Sequence, residues 1–145
     1  MALPHICLSK QKKRFNMTEK SKKNKSHLDF EIDFFEKLIT KNPDFIDALI
    51  PLAEAYTKAG RHEDGLNIDK RLAKLKANDA IVYYNLACSY SLLEDMDKAF
   101  TALKKAISLG YNDFEYMDID PDLSGLREDK RYQKIIYNLA KKKRG

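Results

Sequence analysis

A chain of 145 residues has room for one domain with tails. With 34% charged residues, a mean hydropathy of −0.58 and no apolar run near the roughly 18 residues a membrane-crossing helix needs, no membrane span is expected. Only Cys7 and Cys88 are present, which excludes a disulfide framework or a zinc site built from cysteines alone.

The formal net charge of +5 is unevenly spread. Residues 1–25 carry eight Lys/Arg and the single acid Glu19, and residues 141–144 read Lys-Lys-Lys-Arg. Residues 26–140 keep 15 of the 27 basic and 21 of the 22 acidic residues, a net of −6 between two basic ends. Residues 1–25 are polar and cationic without helical periodicity, so a disordered basic tail is expected there, and a shorter one at 141–145. Met17 opens a second possible start for translation. The first residues are too short an apolar run, broken by Pro4 and followed rather than preceded by basic residues, to form a secretion signal. The chain is therefore expected in the cytoplasm.

Ser26, with Asp29 three residues on, predicts a capped helix start. Leu28, Ile32, Phe35, Leu38 and Ile39 then form one apolar stripe that stops before Pro43. Asp44 is placed to cap a second helix carrying Leu49, Leu52, Ala53, Ala55 and Tyr56, with Gly60 as its terminator. Pro51 conflicts with that helix and predicts either a bend near Asp47 or a regular part starting near Ile50. A third helix runs from about His62 to Lys76, with Leu66, Ile68, Leu72, Ala73 and Leu75 inward. Asp79 caps a fourth, carrying Val82, Tyr83, Leu86, Ala87, Tyr90 and Leu93. Asp95 caps a fifth, with Met96, Ala99, Phe100, Leu103, Ala106 and Ile107, which Gly110 ends. Beyond it lie a short helical turn at 113–117 and a turn-rich link from Asp118 to Gly125. Asp129 caps a last helix with Tyr132, Ile135, Ile136 and Leu139 on one face and lysines on the other, as a closing unit requires.

Residues 46–113 repeat with a period of 34: Leu52-Ala53 and Tyr56 return as Leu86-Ala87 and Tyr90, Leu75 as Leu109, Asn78-Asp79 as Asn112-Asp113. A fixed period of this size marks stacked hairpins, none of which buries its own apolar face alone. The two copies resemble tetratricopeptide repeats (TPR). Tyr83, Leu86, Ala87 and Tyr90 fit that family's first-helix pattern, and Ala99, Leu103 and Ala106 its second. The first copy fits at Leu49, Leu52, Ala53, Tyr56, Gly60 and Leu72, and departs at Gly65, where Ala is usual, and Asp69, where a large apolar residue is usual. The helix at 27–41 fits as the second half of an earlier repeat. The stretch from Gly110-Tyr111 through Asp120-Pro121-Asp122-Leu123 to Arg131-Tyr132 is similar to a closing segment of many bacterial members. The resemblance implies an all-α fold over 26–140: a right-handed superhelical stack of antiparallel helical hairpins, about two and a half units plus a capping helix.

Such a stack lines its concave side with first helices. The candidate partner-binding groove is then Ile50, Glu54 and Lys58 from the second helix with Ile81, Tyr84, Asn85, Cys88 and Leu92 from the fourth. This mixed strip suits an extended segment or a helix; the same residues can instead pack against the closing and N-terminal helices. Some family members clamp peptide carboxylates, but here only Asn85 matches, with Ile50, Glu54, Glu115 and Ile119 at the other positions. Asp118, Asp120, Asp122 and Asp129 mimic a calcium loop, yet Leu123 stands where Gly must turn, Pro121 stiffens the loop and the last ligand is not Glu. No catalytic triad, phosphate loop or metal motif is present, so no enzyme activity, cofactor or metal is expected. The expected function is non-enzymatic binding of a protein or peptide, as adaptor, scaffold or assembly factor. The alternative is an accessory factor that holds RNA or an acidic assembly through its basic tails. The sequence does not set the oligomeric state.

Overall fold

A computed structural model describes the backbone of residues 6–144, with side chains from Thr18 onward. Among the described residues there are eight α-helices and a 3-10 turn, and no strand. Helices α1 (Ile6–Lys41), α2 (Ile46–Lys58), α3 (His62–Leu75), α4 (Ala80–Leu92) and α5 (Met96–Ser108) each pack on the next in chain order. The closing segment follows as α6 (Phe114–Ile119), a 3-10 turn (Pro121–Leu123), α7 (Ser124–Arg127) and α8 (Lys130–Arg144).

The caps explain several boundaries. The Asp79 carboxylate accepts from the N–H groups of Ile81 (2.9 Å) and Val82 (3.2 Å), satisfying donors that the first turn of α4 leaves free. Asp95 accepts from Lys98 N–H, Asp113 from Tyr116 N–H and Asp129 from Arg131 N–H. Gly60 (φ 73°) ends α2 and Gly110 (φ 106°) ends α5 in the left-handed region. The turn between α4 and α5 uses the same device without glycine: Glu94, one period after Gly60, sits at φ 61°.

Other expectations are corrected. The segment expected to be a disordered tail is helical from Ile6, continuous with the helix that packs. Lys, Arg, Gln and Glu favour helix even without an apolar stripe, and residues 18–27 are all exposed, so propensity rather than packing carries them. Ser26 is consequently inside α1 and starts nothing. At α2 the N-cap is Phe45 rather than Asp44, with no side-chain bond to the first turn. The helix also runs unbroken through Pro51, so the missing hydrogen bond to Asp47 is tolerated on a partly exposed face. Leu75 is 39% exposed rather than inward. The expected turn-rich link is mostly helical, because Asp120 caps the 3-10 turn through Asp122 N–H (3.0 Å).

Two apolar clusters meet at α3 and α4. Ile32, Leu49, Leu52, Tyr56, Ile68 and Leu72 gather α1 to α3, with Val82 of α4 joining them. Leu86, Ala87, Phe100, Leu103 and Ala106 gather α4 and α5 under Met117, Leu123, Leu126 and Tyr132 of the closing segment. Ala73 packs against both clusters, so the seam is continuous. Zero exposure at Ala48, Ala87, Ala99 and Ala106 marks where small side chains let helices approach. Polar ties fix the ends. Tyr56 Oη donates to Glu36 of α1 (2.5 Å), and Arg131 of α8 bridges Asp97 of α5 (2.6 Å) and Asp129 (2.9 Å).

Candidate functional site

The repeat period places equivalent residues of α2 and α4 side by side: Ile50 beside Tyr84, Glu54 beside Cys88, Lys58 beside Leu92. These six, with Ile81 and Asn85, all line one groove of about 750 Å³ between the first helices of the two hairpins. It continues into a shallower basin of about 1020 Å³ along the loops 75–81 and 110–116, with Lys76, Asp79, Ile81, Tyr84, Asn85 and Tyr116 common to both. Ile50, Glu54, Lys58, Ile81 and Asn85 form the accessible rim, with Ile81 exposed at 64%.

Tyr84 and Cys88 depart from the expected outward face. Tyr84 is 4% exposed and Cys88 7%, because the closing segment covers them. The Tyr84 ring stacks on Tyr111 at 4.2 Å between centroids, and its hydroxyl donates to Asp120 Oδ2 at 2.6 Å. Cys88 Sγ lies 3.7 Å from the same oxygen. Burial and the neighbouring Asp120 push both the phenol and the thiol well above their ordinary ranges, so both stay protonated donors. Tyr84 and Cys88 are therefore the floor of the groove, and they hold Asp120 in place.

Asp69, Ser89, Tyr116, Asp120 and Asp122 also line the groove and were not among the residues expected there. Asp69 carried a signal, since it occupies a slot that Leu103 fills with a fully buried side chain one period later. From α3 it reaches Ser89 of α4, whose hydroxyl donates to Oδ2 at 2.5 Å. Burial raises its carboxyl from 3.8 to about 6, against the lowering effect of the Ser89 bond. Asp120 and Asp122 gave no such signal, because only the folded closing segment brings them over α4. Burial, then repulsion by Asp120, raises the Asp122 carboxyl, and His62 opposes this.

The four aspartates that mimicked a calcium loop face different ways. Asp118 accepts from Tyr132 Oη (2.6 Å), Asp120 from Tyr84, and Asp129 from Arg131, while Asp122 lines the groove. Among the described residues no group of three His, Cys, Asp or Glu side chains is arranged to hold a metal ion. Nor is any helix among them long and apolar enough to cross a membrane.

Residues 80–110, the α4–α5 hairpin and its terminating glycine, match a sequence profile described as Tetratricopeptide repeat. The chain is also similar to a chloroplastic protein of Arabidopsis thaliana, with 31% identity over 84 residues. That alignment takes in 56% of this chain and spans only 25% of the length of the plant protein.

Proposed function

We propose that the chain, whose residues 80–110 match a tetratricopeptide repeat, binds a protein or peptide segment in the groove between α2 and α4, as a non-enzymatic adaptor, scaffold or assembly factor. Repeats of this family generally mediate interactions between proteins, which is the coarse part of the reading. The finer part, the site, is supported by one observation: eight residues, six of them in repeat-equivalent pairs, line a single open groove with apolar, polar and charged members. Ile50, Ile81 and Leu92 offer apolar contact, Asn85 a two-way hydrogen-bonding amide, and Glu54 and Lys58 a charged edge. The binding unit is residues 26–140. The cytoplasm expected from the sequence remains part of the proposal, beside a relative whose name places that protein in the chloroplast.

Selection of a random-peptide display library on the full chain tests the reading. Enriched peptides should lose at least about tenfold in affinity, roughly 1.4 kcal/mol, for an Ile81→Ala/Asn85→Ala variant, measured by titration calorimetry. Both residues are exposed, so the fold should be unaffected. Peptides that bind this variant as tightly as the parent chain sink the proposed site.

A further inference from the structure

Two features of opposite charge face different ways in this fold. The groove holds five carboxylates and two lysines. Both lysines are already engaged, Lys58 with Glu54 at 3.0 Å and Lys76 with Asp79 at 2.8 Å. Asp69, Asp120 and Asp122 have no Lys or Arg at ion-pair distance among the described residues. His62 attracts Asp122 only electrostatically. The groove is thus an anionic trough with apolar sides.

The second feature is the N-terminal half of α1. Lys20, Lys22, Lys23 and Lys25 are helical and exposed, as is every residue from 18 to 27. The helix is unbroken to Lys41, so residues 6–25 run about 30 Å beyond the packed part of the domain. No described α1 residue lines the groove. A continuous helix cannot fold back, so this basic segment does not reach the groove of its own chain.

We propose that the groove of one chain receives the basic N-terminal helix of a second copy. The proposal rests on the reading of the groove as a segment-binding site and names its occupant. Charge complementarity carries it: residues 1–25 hold +7 and residues 26–140 hold −6. Lysine ammonium groups reach the half-buried carboxylate of Asp122 and the exposed rim carboxylate of Glu54, to which the buried Asp69 and Asp120 add only their field, while the lysine methylene stems rest on Ile50, Ile81 and Leu92. Reciprocal exchange uses both grooves and closes the assembly at two copies.

The test is a charge swap in the full chain, read by sedimentation velocity at low ionic strength. The parent chain should show a species of twice 16.8 kDa that dissociates as the Debye length falls to about 3 Å near 1 M salt. One variant reverses the helix (Lys20→Glu, Lys22→Glu, Lys23→Glu, Lys25→Glu), and the other makes the rim cationic (Glu54→Lys, Ile81→Lys, Asn85→Lys). All seven positions are exposed. Each variant alone should remain monomeric where the parent chain pairs, and an equal mixture should pair again, because both contacts are then complementary. A parent chain that stays monomeric at every concentration overturns the proposal. So does pairing that survives helix reversal, which would put the contact on another face, such as the exposed Phe30 and Phe34. A monomeric chain whose library-selected peptides still compete at the groove overturns this inference alone and leaves the proposed function standing.

Discussion

Asp69 is the residue at which packing and chemistry part company. Its equivalent one period later, Leu103, is fully buried and apolar, so the hairpin has room for a hydrophobe at this slot. A carboxyl there meets only the Ser89 hydroxyl, and burial lifts it from 3.8 to about 6. The folded chain therefore keeps a proton that the unfolded chain has already lost. The contribution of Asp69 to stability is fully present below about pH 4 and is lost as pH rises through about 6. An Asp69→Asn variant carries no charge and should be more stable than the parent at neutral pH, by up to about 3 kcal/mol. That advantage should vanish below about pH 4. Urea midpoints across this range read the effect directly, and a difference independent of pH would show that Asp69 is not the titrating group. The sequence marked Asp69 as foreign to an apolar stripe but did not show its partner, since Ser89 lies on the next helix.

The helices from α2 to α5 were legible because each announces itself by period, and α4 and α5 also by an aspartate cap. Asp79, Asp95, Gly60 and Gly110 act through their own or immediately neighbouring backbone, where a sequence is most informative. The errors fall where solvent or tertiary context decides. Pro51 predicted an interruption, but the α2 stripe of Leu49, Leu52 and Tyr56 is packed well enough to carry one missing bond. The basic segment predicted no helix because it has no apolar face, yet it continues one already nucleated at Leu28 to Ile39. Tyr84 and Cys88 have the right period for the concave face and are buried all the same, by residues more than 30 positions away. At the hairpin turns, Gly60 and Glu94 perform the same left-handed step, and only glycine does so without steric cost. Glu94→Gly should therefore stabilise the chain by about 1 kcal/mol, seen as a raised urea midpoint at unchanged slope. A lowered midpoint would show that the Glu94 side chain contributes more than its backbone costs.

The molecule as a whole is held by two clusters in series, and the second is completed only by the closing segment. Met117, Leu123 and Leu126 are fully buried against α4 and α5. Leu126→Ala should cost about 2–5 kcal/mol. In hydrogen exchange the protection of α4 and α5 should fall before that of α2 and α3, as expected when each unit leans only on its neighbours. Equal loss throughout would mean that the clusters unfold as one. Asp120 has a further consequence. It caps the 3-10 turn, accepts the Tyr84 hydroxyl and sits against Cys88, while Arg127 donates to its carbonyl at 2.7 Å. An added hairpin grafted in after Asn112 would have to offer a tyrosine at the position equivalent to Tyr84, or leave Oδ2 of this acid stranded in the interior without its hydroxyl donor. One carboxyl group thus sets the admission rule for any longer descendant of this array.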